Sequence, residues 1–349
     1  MFTPSLIKKI NKAGLVGRGC NNFSTAKKWQ AVLAARASKE KYVVCNVSES
    51  EPGVFKDKYI LEHYPEKVID GIALAIKTLK ATKGFIYLNP EYFSLFQDNL
   101  NLLIKKSGAP IELYEKPMHD YVGGEETALL NSMEGKRVEP RLKPPYPTTH
   151  GLFGEPTLVN NCETFYSVSL INSGNYKKTR FYCVSGVGCS DGQVKELSES
   201  LKVKEVLSAF GHNPSEEYFY QVGGGAAGTC YNHTQLNRAF NSLASAIIYP
   251  SSQSEKDVVM RWADFFKNES CGQCVPCREG TYRLRNMLEK HYLADEQIDK
   301  KLFEMLVFSL QNTSLCPLGK VSANAILSYW KNVLARDVLA EQGEKCDIK

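Results

Sequence analysis

Four cysteines constrain this chain more than any other feature of its sequence. Three of them lie in one short segment, ESCGQCVPCREG at 269–280, and the fourth is Cys316 in SLCPLG. The Cys-x-x-Cys-x-x-Cys spacing lets three thiolates converge from a single tight turn. The 38 residues between Cys277 and Cys316 suit a helix, a turn and a second helix that returns to the same end of a bundle. The pattern therefore predicts a metal centre held by a helical region.

The ligand pattern favours a [4Fe–4S] cluster, because such a cluster takes four cysteine thiolates. The predicted ligands are Cys271, Cys274, Cys277 and Cys316. Zinc also accepts four cysteines, but usually as two separated Cys-x-x-Cys pairs rather than a triplet and a single residue. A two-cluster ferredoxin would repeat the triplet and follow it closely with Cys-Pro. Zinc stays as the alternative to one iron–sulfur cluster.

The other cysteines are scattered and predict small buried side chains rather than disulfides. The chain has 11 cysteines, an odd number, and its N-terminal segment lacks the apolar core of a secretion signal. Free cysteine is among the residue types most often buried. These positions are Cys20, Cys45, Cys162, Cys183, Cys189, Cys230 and Cys346.

Charge and hydropathy exclude two classes of partner. The 43 basic and 38 acidic residues leave a net charge of +5, without the basic stripe that nucleic-acid binding needs. The longest apolar runs fall far short of the roughly 18 residues of a membrane helix. We therefore expect no nucleic acid and no direct membrane span. The expected location is cytoplasmic, either free or on the cytoplasmic face of a membrane complex.

Strand-like and helical segments alternate in the first half of the chain, which predicts α/β units on a largely parallel sheet. The predicted strands are 41–48, 84–88 and 110–115, and the predicted helices are 68–82 and 91–105.

Two further regions follow the α/β region. Residues 180–228 predict a small domain of three strands and one short helix, which ends in the glycine-rich 223–228. For that stretch a tight structural loop is favoured over a phosphate site, since it lacks the lysine of a P-loop. From about residue 255 the pattern is helical and predicts a bundle. Its expected features include one apolar face formed by Ile298, Leu302 and Met305, and a final helix over 321–336.

Several segments, in the same order, resemble the NADH-binding flavoprotein subunit of respiratory complex I and related subunits of NAD-linked hydrogenases and formate dehydrogenases. The resemblance runs through most of the chain, and several motifs together are far more specific than any one alone. The matching segments are NVSESEPGVFKDKYILEHYP (46–65), YVGGEETALLNSMEGKRVEPRLKPPYP (121–147), GLFGEPTLVNNCETF (151–165) and the two cysteine segments.

The resemblance implies a fold and a function. It implies a Rossmann-like FMN and NADH domain over 1–175, a ubiquitin-like (β-grasp) domain over 176–250 and a helical bundle with the [4Fe–4S] cluster over 251–349. Such a chain is an oxidoreductase subunit that passes electrons between NAD(H), FMN and the cluster. Its partners are other iron–sulfur subunits of a multisubunit oxidoreductase of the complex I, hydrogenase or formate dehydrogenase type.

The resemblance also assigns candidate site residues. Glu51 and Glu126 would face the nicotinamide side as the catalytic pair. Lys143 and Tyr146 would lie near the adenosine half of the dinucleotide. The remaining cofactor-binding positions are Gly17, Arg18, Gly19, Phe23, Lys28, Asn46, Ser48, Gly124, Glu125, Val159, Asn160 and Asn161.

The chain departs from the family pattern in its flavin loop. In GRGCNNFSTAKKW, 17–29, Cys20, Asn22 and Ala26 replace glycines and Asn21 replaces alanine, while Ser48 replaces an aspartate outside the loop. Glycine serves where a backbone must approach a ligand closely, so added side chains reduce the space for stacked flavin and nicotinamide. Two functions therefore stay open: an NAD(H)-linked catalytic subunit, or an electron-relay or assembly subunit that has lost nicotinamide binding and, in the extreme case, FMN.

Overall fold

The first part of the chain is a parallel sheet between helices. The computed structural model describes residues 4–19, 21–36, 40–189, 193–240 and 243–336. The sheet has the strand order β3-β2-β1-β4, and all of its pairings are parallel. Its strands are β1 (Tyr42–Val47), β2 (Lys83–Leu88), β3 (Ile111–Glu115) and β4 (Thr157–Asn161). Its helices are α1 (Ser5–Ala13), α2 (Thr25–Ala34), α3 (Lys56–His63), α4 (Pro65–Leu79), α5 (Pro90–Ser107), α6 (Glu126–Met133) and α7 (Cys162–Ser173).

The predicted α/β region is confirmed, and β4 is an addition to it. Strand β4 pairs with β1 on the side away from β2, so Asn46 lies opposite Asn161 at the carboxyl ends of the two strands. The connection reverses its direction across the sheet at this point, and ligands of open α/β sheets bind at such switch points. The side chain of Asn161 caps α7 by accepting the N–H of Glu163 at 3.1 Å.

A second, mixed sheet follows. Its strand order is β6-β5-β9-β7-β8; β5 and β9 are parallel, and the other three pairings are antiparallel. The strands β8 and β9 were not predicted, because β8 is only four residues long and follows the glycine-rich stretch directly. The elements are β5 (Thr179–Gly186), β6 (Gln193–Ser198), α8 (Val203–Ala209), β7 (Tyr218–Val222), β8 (Thr229–Asn232) and β9 (Ser245–Pro250).

The third part is helical, as predicted. Its helices are α9 (Glu255–Glu269), α10 (Val275–Ala294), α11 (Lys300–Thr313), α12 (Pro317–Val321) and α13 (Asn324–Ser328). Among the described helices, none has both the length and the apolar composition needed to cross a membrane.

Two details predicted for the helical part are wrong. The final helix over 321–336 is broken after Val321, and after α13 the chain continues as a π-helical turn, Tyr329–Val333. Ile298 lies before α11 begins, and Leu302 and Met305 are exposed. The face of α11 that packs into the bundle consists instead of Phe303, Val307 and Leu310. The apolar spacing thus identified a helix but selected the wrong side of it.

The contact between α4 and α7 predicts a strong effect of a single methyl group. A Cβ atom at Gly71 would lie 2.1 Å from the carbonyl oxygen of Phe165, which is backbone and cannot turn away. We expect Gly71→Ala to lower the free energy of unfolding by about 1–3 kcal/mol, the usual cost of overpacking, despite the better helix propensity of alanine. Urea unfolding followed by circular dichroism measures this. Lys67→Ala, at an exposed position on the same helix, is the control. A Gly71→Ala protein as stable as the parent would contradict the packing.

Candidate functional site

A cavity of about 510 Å³ lies at the carboxyl ends of β1 and β4. It is lined by residues from all three parts of the chain, including the glycine-rich stretch and the Cys316 segment. Every cofactor-binding residue expected from the sequence lines it except Tyr146, which is exposed in the proline-rich loop. Those lining residues are Gly17, Arg18, Gly19, Phe23, Lys28, Asn46, Ser48, Glu51, Gly124, Glu125, Glu126, Lys143, Val159, Asn160 and Asn161.

The asparagine side chains at the strand ends fix the walls of this cavity. Asn46 Nδ2 donates to the carbonyl oxygen of Gly124 at 2.9 Å, and Asn161 Nδ2 donates to the carbonyl oxygen of Asn46 at 3.2 Å. The indole N–H of Trp29 donates to Asn160 Oδ1 at 3.1 Å. These bonds tie the loop before α6, the strand ends and α2 together around one space.

A buried ionic network beneath the cavity was missed by the sequence reasoning. The fully buried Lys56 lies between Asp57 and Glu163 Oε2, the latter at 3.3 Å, and its Nζ also donates to Asn161 Oδ1 at 2.8 Å. Burial would lower the pKa of Lys56, but the two carboxylates outweigh it and raise the pKa. Lys56 and Asp57 belong to the matching segment 46–65, and their place in it was a signal that could have identified them as site residues.

Glu49 belongs to the same network and lines the cavity. Its carboxylate accepts the backbone N–H groups of Asp57 and Lys58 and the hydroxyl of Tyr92. Burial, and then the neighbouring negative charge of Asp57, raise the pKa of Glu49 to about 7. A carboxyl group with such a pKa beside a cavity changes its charge near neutral pH.

The adjacent acidic residues Glu125 and Glu126 have different roles in the structure. Glu125 Oε2 accepts the backbone N–H groups of Thr127 and Ala128 at 2.8 and 3.0 Å, so Glu125 is the N-cap of α6. Glu126 lies between two lysines, 2.7 Å from Lys28 Nζ and 3.3 Å from Lys143 Nζ. Burial opposes ionisation of Glu126, but the lysines outweigh it and lower its pKa. The cavity therefore has an ionised carboxylate with two flanking cations.

Glu51 joins the first part of the chain to the glycine-rich stretch. Its Oε1 accepts the backbone N–H groups of Ala226 and Ala227 at 2.9 and 3.1 Å. Gly224 has φ +109°, and a Cβ there would lie 2.2 Å from Glu51 Oε1. The stretch therefore wraps a carboxylate of this chain, which agrees with the tight structural loop predicted for it. Burial raises the pKa of Glu51, although these hydrogen bonds oppose the shift.

The flavin-loop residues divide between the cavity and the second sheet. The guanidinium of Arg18 pairs with Glu199 at 2.6 Å and donates to the hydroxyl of Tyr176 at 2.7 Å, so it anchors the loop. Asn21 and Asn22 are both exposed, and of the two Asn21 lines the cavity. Cys20 lies outside the described residues.

The four predicted cluster cysteines lie together in one group at the ends of helices. Cys274 is the N-cap of α10, Cys277 lies in its first turn, and Cys316 is the N-cap of α12. All four belong to one packed cluster with Val122, Ala226 and Leu318, among others. Within the described residues, no group of His, Cys, Asp and Glu side chains is arranged to hold a single metal ion.

Burial raises the pKa values of the Cys271 and Cys316 thiols, and backbone N–H groups oppose these shifts. The N–H groups of Leu318 and Gly319 bond the sulfur of Cys316, and that of Gln273 bonds the sulfur of Cys271. Burial raises the pKa of Cys277 to about 11, so loading of a metal centre must displace its proton. A Cβ at Gly319 would lie 2.7 Å from Ser314 Cβ and 3.0 Å from Cys277 Cβ, so glycine at this position favours the close approach of the two cysteine segments.

The cavity fits a flat, polar-edged cofactor. A Cβ at Gly17 would meet the carbonyl oxygen of Asn21 at 2.7 Å, and one at Gly124 would meet that of Ser48 at 3.3 Å, so glycines keep the backbone walls close. At Gly19 a Cβ would meet only Asn161 Cβ, at 3.9 Å, which leaves open space. Most of the lining side chains are polar or charged, and apolar side chains such as Phe23, Val159 and Leu243 complete the walls.

Comparison with known proteins decides the family. Residues 10–170 match the family profile of the Nuo51 FMN-binding domain, and residues 257–335 match that of the NADH-ubiquinone oxidoreductase-F iron–sulfur binding region. The NADH-quinone oxidoreductase F-subunit of Aquifex aeolicus (strain VF5) is 33% identical over 363 residues, which cover 93% of this chain and 83% of that protein. The chain belongs to the NADH-quinone oxidoreductase F-subunit family. The resemblance seen in the motifs is thereby confirmed.

Members of this family also occur in hydrogenases. The NAD-reducing hydrogenase HoxS subunit alpha of Cupriavidus necator is 33% identical over 93% of this chain, which spans 58% of that subunit. A crystal structure of an NAD⁺-reducing [NiFe]-hydrogenase in the H₂-reduced state superposes with a TM-score of 0.86 at 30% identity, over 94% of this chain and 61% of that one. The chain therefore matches the FMN-binding and iron–sulfur regions of the F-subunit family. Its fold superposes on the matching part of the hydrogenase chain.

The thiol group predicts a clear difference between two cysteine variants. Cys274→Ser should lose or destabilise the cluster, because it removes one of four thiolate ligands. Cys183→Ser changes a buried sulfur that accepts the backbone N–H of Phe55, away from the thiol group, and should keep it. Iron and sulfide content and the broad visible absorbance measure the outcome. Parent-like iron content in Cys274→Ser would remove this residue from the ligand set.

Proposed function

We propose that this chain is the flavin- and iron–sulfur-containing subunit of a multisubunit oxidoreductase, and that it passes electrons between NAD(H) and a [4Fe–4S] cluster by way of FMN. The observation that carries the proposal is the position of Cys316. This predicted cluster ligand lines the same cavity as the residues predicted to bind FMN. A flavin in that cavity would lie next to the cluster, so electrons would cross a short distance inside one chain.

The domain organisation supports this proposal. We assign the parallel sheet and its helices to a Rossmann-like domain over 1–175, the mixed sheet to a ubiquitin-like β-grasp domain over 176–250, and the helices to a bundle over 251–349. A helix that follows a β-hairpin, and a central parallel pair formed by the first and last strands, support the β-grasp assignment. The glycine-rich stretch of this second domain closes one side of the cavity.

The residues around the cavity suit FMN. Gly19 borders open space that suits a bound ring, while Gly17 and Gly124 let the backbone walls approach each other. Asn46, Asn160 and Asn161 hold these walls in place by the bonds described above. Bound FMN accepts a hydride as two electrons and releases them singly, which links a two-electron donor to a one-electron cluster. The side chains exclude water and supply polar groups at the cavity edge.

The acidic and basic groups at the cavity suit a nicotinamide dinucleotide. We assign Glu126 and Glu51 to the nicotinamide side, where an ionised carboxylate can accept hydrogen bonds from a carboxamide or ribose. Lys28 and Lys143 flank Glu126 and can turn toward phosphate oxygens, for which lysine is a common ligand. Tyr146 is exposed in the adjoining loop, and we assign it to the adenosine half of the dinucleotide.

The partners we propose are other iron–sulfur subunits, in an assembly of the complex I, hydrogenase or formate dehydrogenase type. One cluster motif in this chain can pass electrons only to a neighbouring acceptor. The relatives named above are subunits of such assemblies by their names. We place the chain in the cytoplasm or on the cytoplasmic face of a membrane complex.

A second function is favoured by one observation. Asn21, which replaces alanine of the family pattern, lines the cavity. If its side chain occupies the space of the nicotinamide ring, the chain is an electron-relay or assembly subunit that keeps the cluster and has lost nicotinamide binding. The retained Glu126, which lines the cavity between two lysines, favours the catalytic subunit. Glu51 does not separate the two functions, because it also holds the glycine-rich stretch.

We expect about one FMN per chain in protein from a flavin-sufficient host. Acid release followed by chromatography measures it. Gly19→Val should lower the FMN content more than tenfold, because the added side chain has room to form and would project into the cavity. Iron content serves as the control and should stay at the parent level, since the thiols come from other segments. A parent protein without flavin would contradict the first function and support the relay.

Mixing with NADH separates the two functions. An open site should bleach the flavin absorbance in an anaerobic stopped-flow experiment, and NADH oxidation with an artificial acceptor should follow. The triple variant Cys20→Gly, Asn21→Ala, Asn22→Gly restores three positions of the family pattern, including the one at which Asn21 lines the cavity. Activity of an open site should change little in this variant, whereas a blocked site should gain activity. Flavin that stays oxidised at millimolar NADH in the parent protein would establish the relay.

A further inference from the structure

A buried lysine lies directly behind the cavity, and none of the roles assigned above involves it. Lys116 follows β3, and its side chain is completely shielded from solvent. Its Nζ donates to Ser48 Oγ at 2.9 Å, and Ser48 lines the cavity. Lys116 does not line the cavity, so Ser48 is its hydrogen-bonded link to the contents of the cavity. The sequence reasoning identified Ser48 as a departure from the family pattern but did not connect it to a lysine.

The carboxylate and the backbone carbonyl of Asp120 bind the remaining N–H groups of Lys116. Lys116 Nζ pairs with the carboxylate Oδ1 of Asp120 at 2.8 Å and donates to the carbonyl oxygen of the same residue. An ammonium group has three N–H donors, so Ser48 and Asp120 use all of them. A Cβ at Gly123 would lie 2.4 Å from Asp120 Oδ1 and 2.6 Å from Lys116 Cε, so the absence of a side chain at this position gives the ion pair its room.

The lysine determines what the hydroxyl group of Ser48 can do. A serine oxygen accepts hydrogen bonds through its lone pairs and donates one hydrogen. Because Ser48 Oγ accepts from Lys116, its own hydrogen must point away from the ammonium group. Among the residues that the structure describes, no acceptor for this hydrogen is found, and the exposed side of Ser48 faces the cavity. The backbone N–H of Ser48 is held separately by Asn46 Oδ1 at 3.1 Å.

We propose that Ser48 donates a hydrogen bond to the flavin ring held in this cavity, and that Lys116, fixed by Asp120, is the positioning residue that sets the direction of this bond. The inference rests on the proposed function, since it requires FMN in the cavity. The aspartate of the family pattern would be an ionised acceptor at this position, whereas Ser48 is a neutral donor.

A hydrogen bond donated by Ser48 should raise the midpoint potential of the flavin. Reduction places electron density on the ring, so a hydrogen bond donated to the ring stabilises the reduced state more than the oxidised state. The midpoint potential of the bound flavin measures this preference directly. Loss of one hydrogen bond of ordinary strength should lower the preference for reduced FMN about tenfold, which is about 30 mV for a two-electron couple.

The test compares three variants in the full chain: Ser48→Ala, Ser48→Thr and Lys116→Met. FMN per chain is measured first, and the flavin midpoint potential is then measured by spectroelectrochemical titration. We expect Ser48→Ala and Lys116→Met to lower the potential by about 30 mV, and Ser48→Thr, which keeps the hydroxyl group, to stay near the parent value. If Lys116→Met does not fold, the alanine and threonine variants still decide the point.

Different results would contradict the role of Ser48 and the proposed function. An unchanged potential in Ser48→Ala, with FMN bound, overturns the donor role of Ser48. A shift in Lys116→Met without a shift in Ser48→Ala also overturns it, because the lysine would then act through its charge alone. Equal shifts in the alanine and threonine variants show that bulk, rather than the hydroxyl group, matters and contradict the inference. A parent chain that binds no FMN contradicts the proposed function itself.

Discussion

The parallel pairing of β1 with β4 is the constraint on which the rest of the site depends. Both strands end in or next to asparagine, and their pairing places Asn46 opposite Asn161 at one edge of the sheet. Backbone groups at the ends of parallel strands and at the helix that follows are only partly bonded within the sheet, so this edge needs polar partners. The asparagine amides bond the loop before α6, and Lys56 with its carboxylates lies beneath them. The cavity is the space left between these bonded walls.

Buried polar side chains connect the three parts of the chain around that space. Glu51 accepts from the glycine-rich stretch, and Glu163 accepts the backbone N–H of Phe181 at 3.0 Å in the second sheet. Arg18 pairs with Glu199 across the same boundary. From the helical part, Asn324 donates to the carbonyl oxygen of Ala227 at 2.8 Å. Because these groups are largely buried, their bonds hold the cavity walls more firmly than surface ion pairs would.

The sequence predicted the local elements of the chain better than their packing. Strands β1, β2 and β3 and helices α4 and α5 follow from short apolar runs and periodic faces. Strand β4 was missed because it follows a proline-rich loop, and only pairing with β1 makes it a strand. The exposed side of α11 was mistaken for its buried side because both sides carry apolar residues, and the neighbouring helices decide which of them is covered.

In the candidate site, too, the sequence predicted which residues take part better than it predicted their contacts. The order of the motifs was enough to predict the family, and nearly every cofactor-binding residue expected from them lines the cavity. The cysteine spacing predicted four cluster ligands, and the structure places these four cysteines in one packed group. No pattern in the sequence indicated that Glu125 caps a helix while Glu126 lies between two lysines, or that Lys116 stands behind Ser48. Spacing along the chain determines which side chains one turn can bring together. Which groups share a proton, a charge or a hydrogen bond depends on contacts between distant segments, and only the tertiary structure decided those.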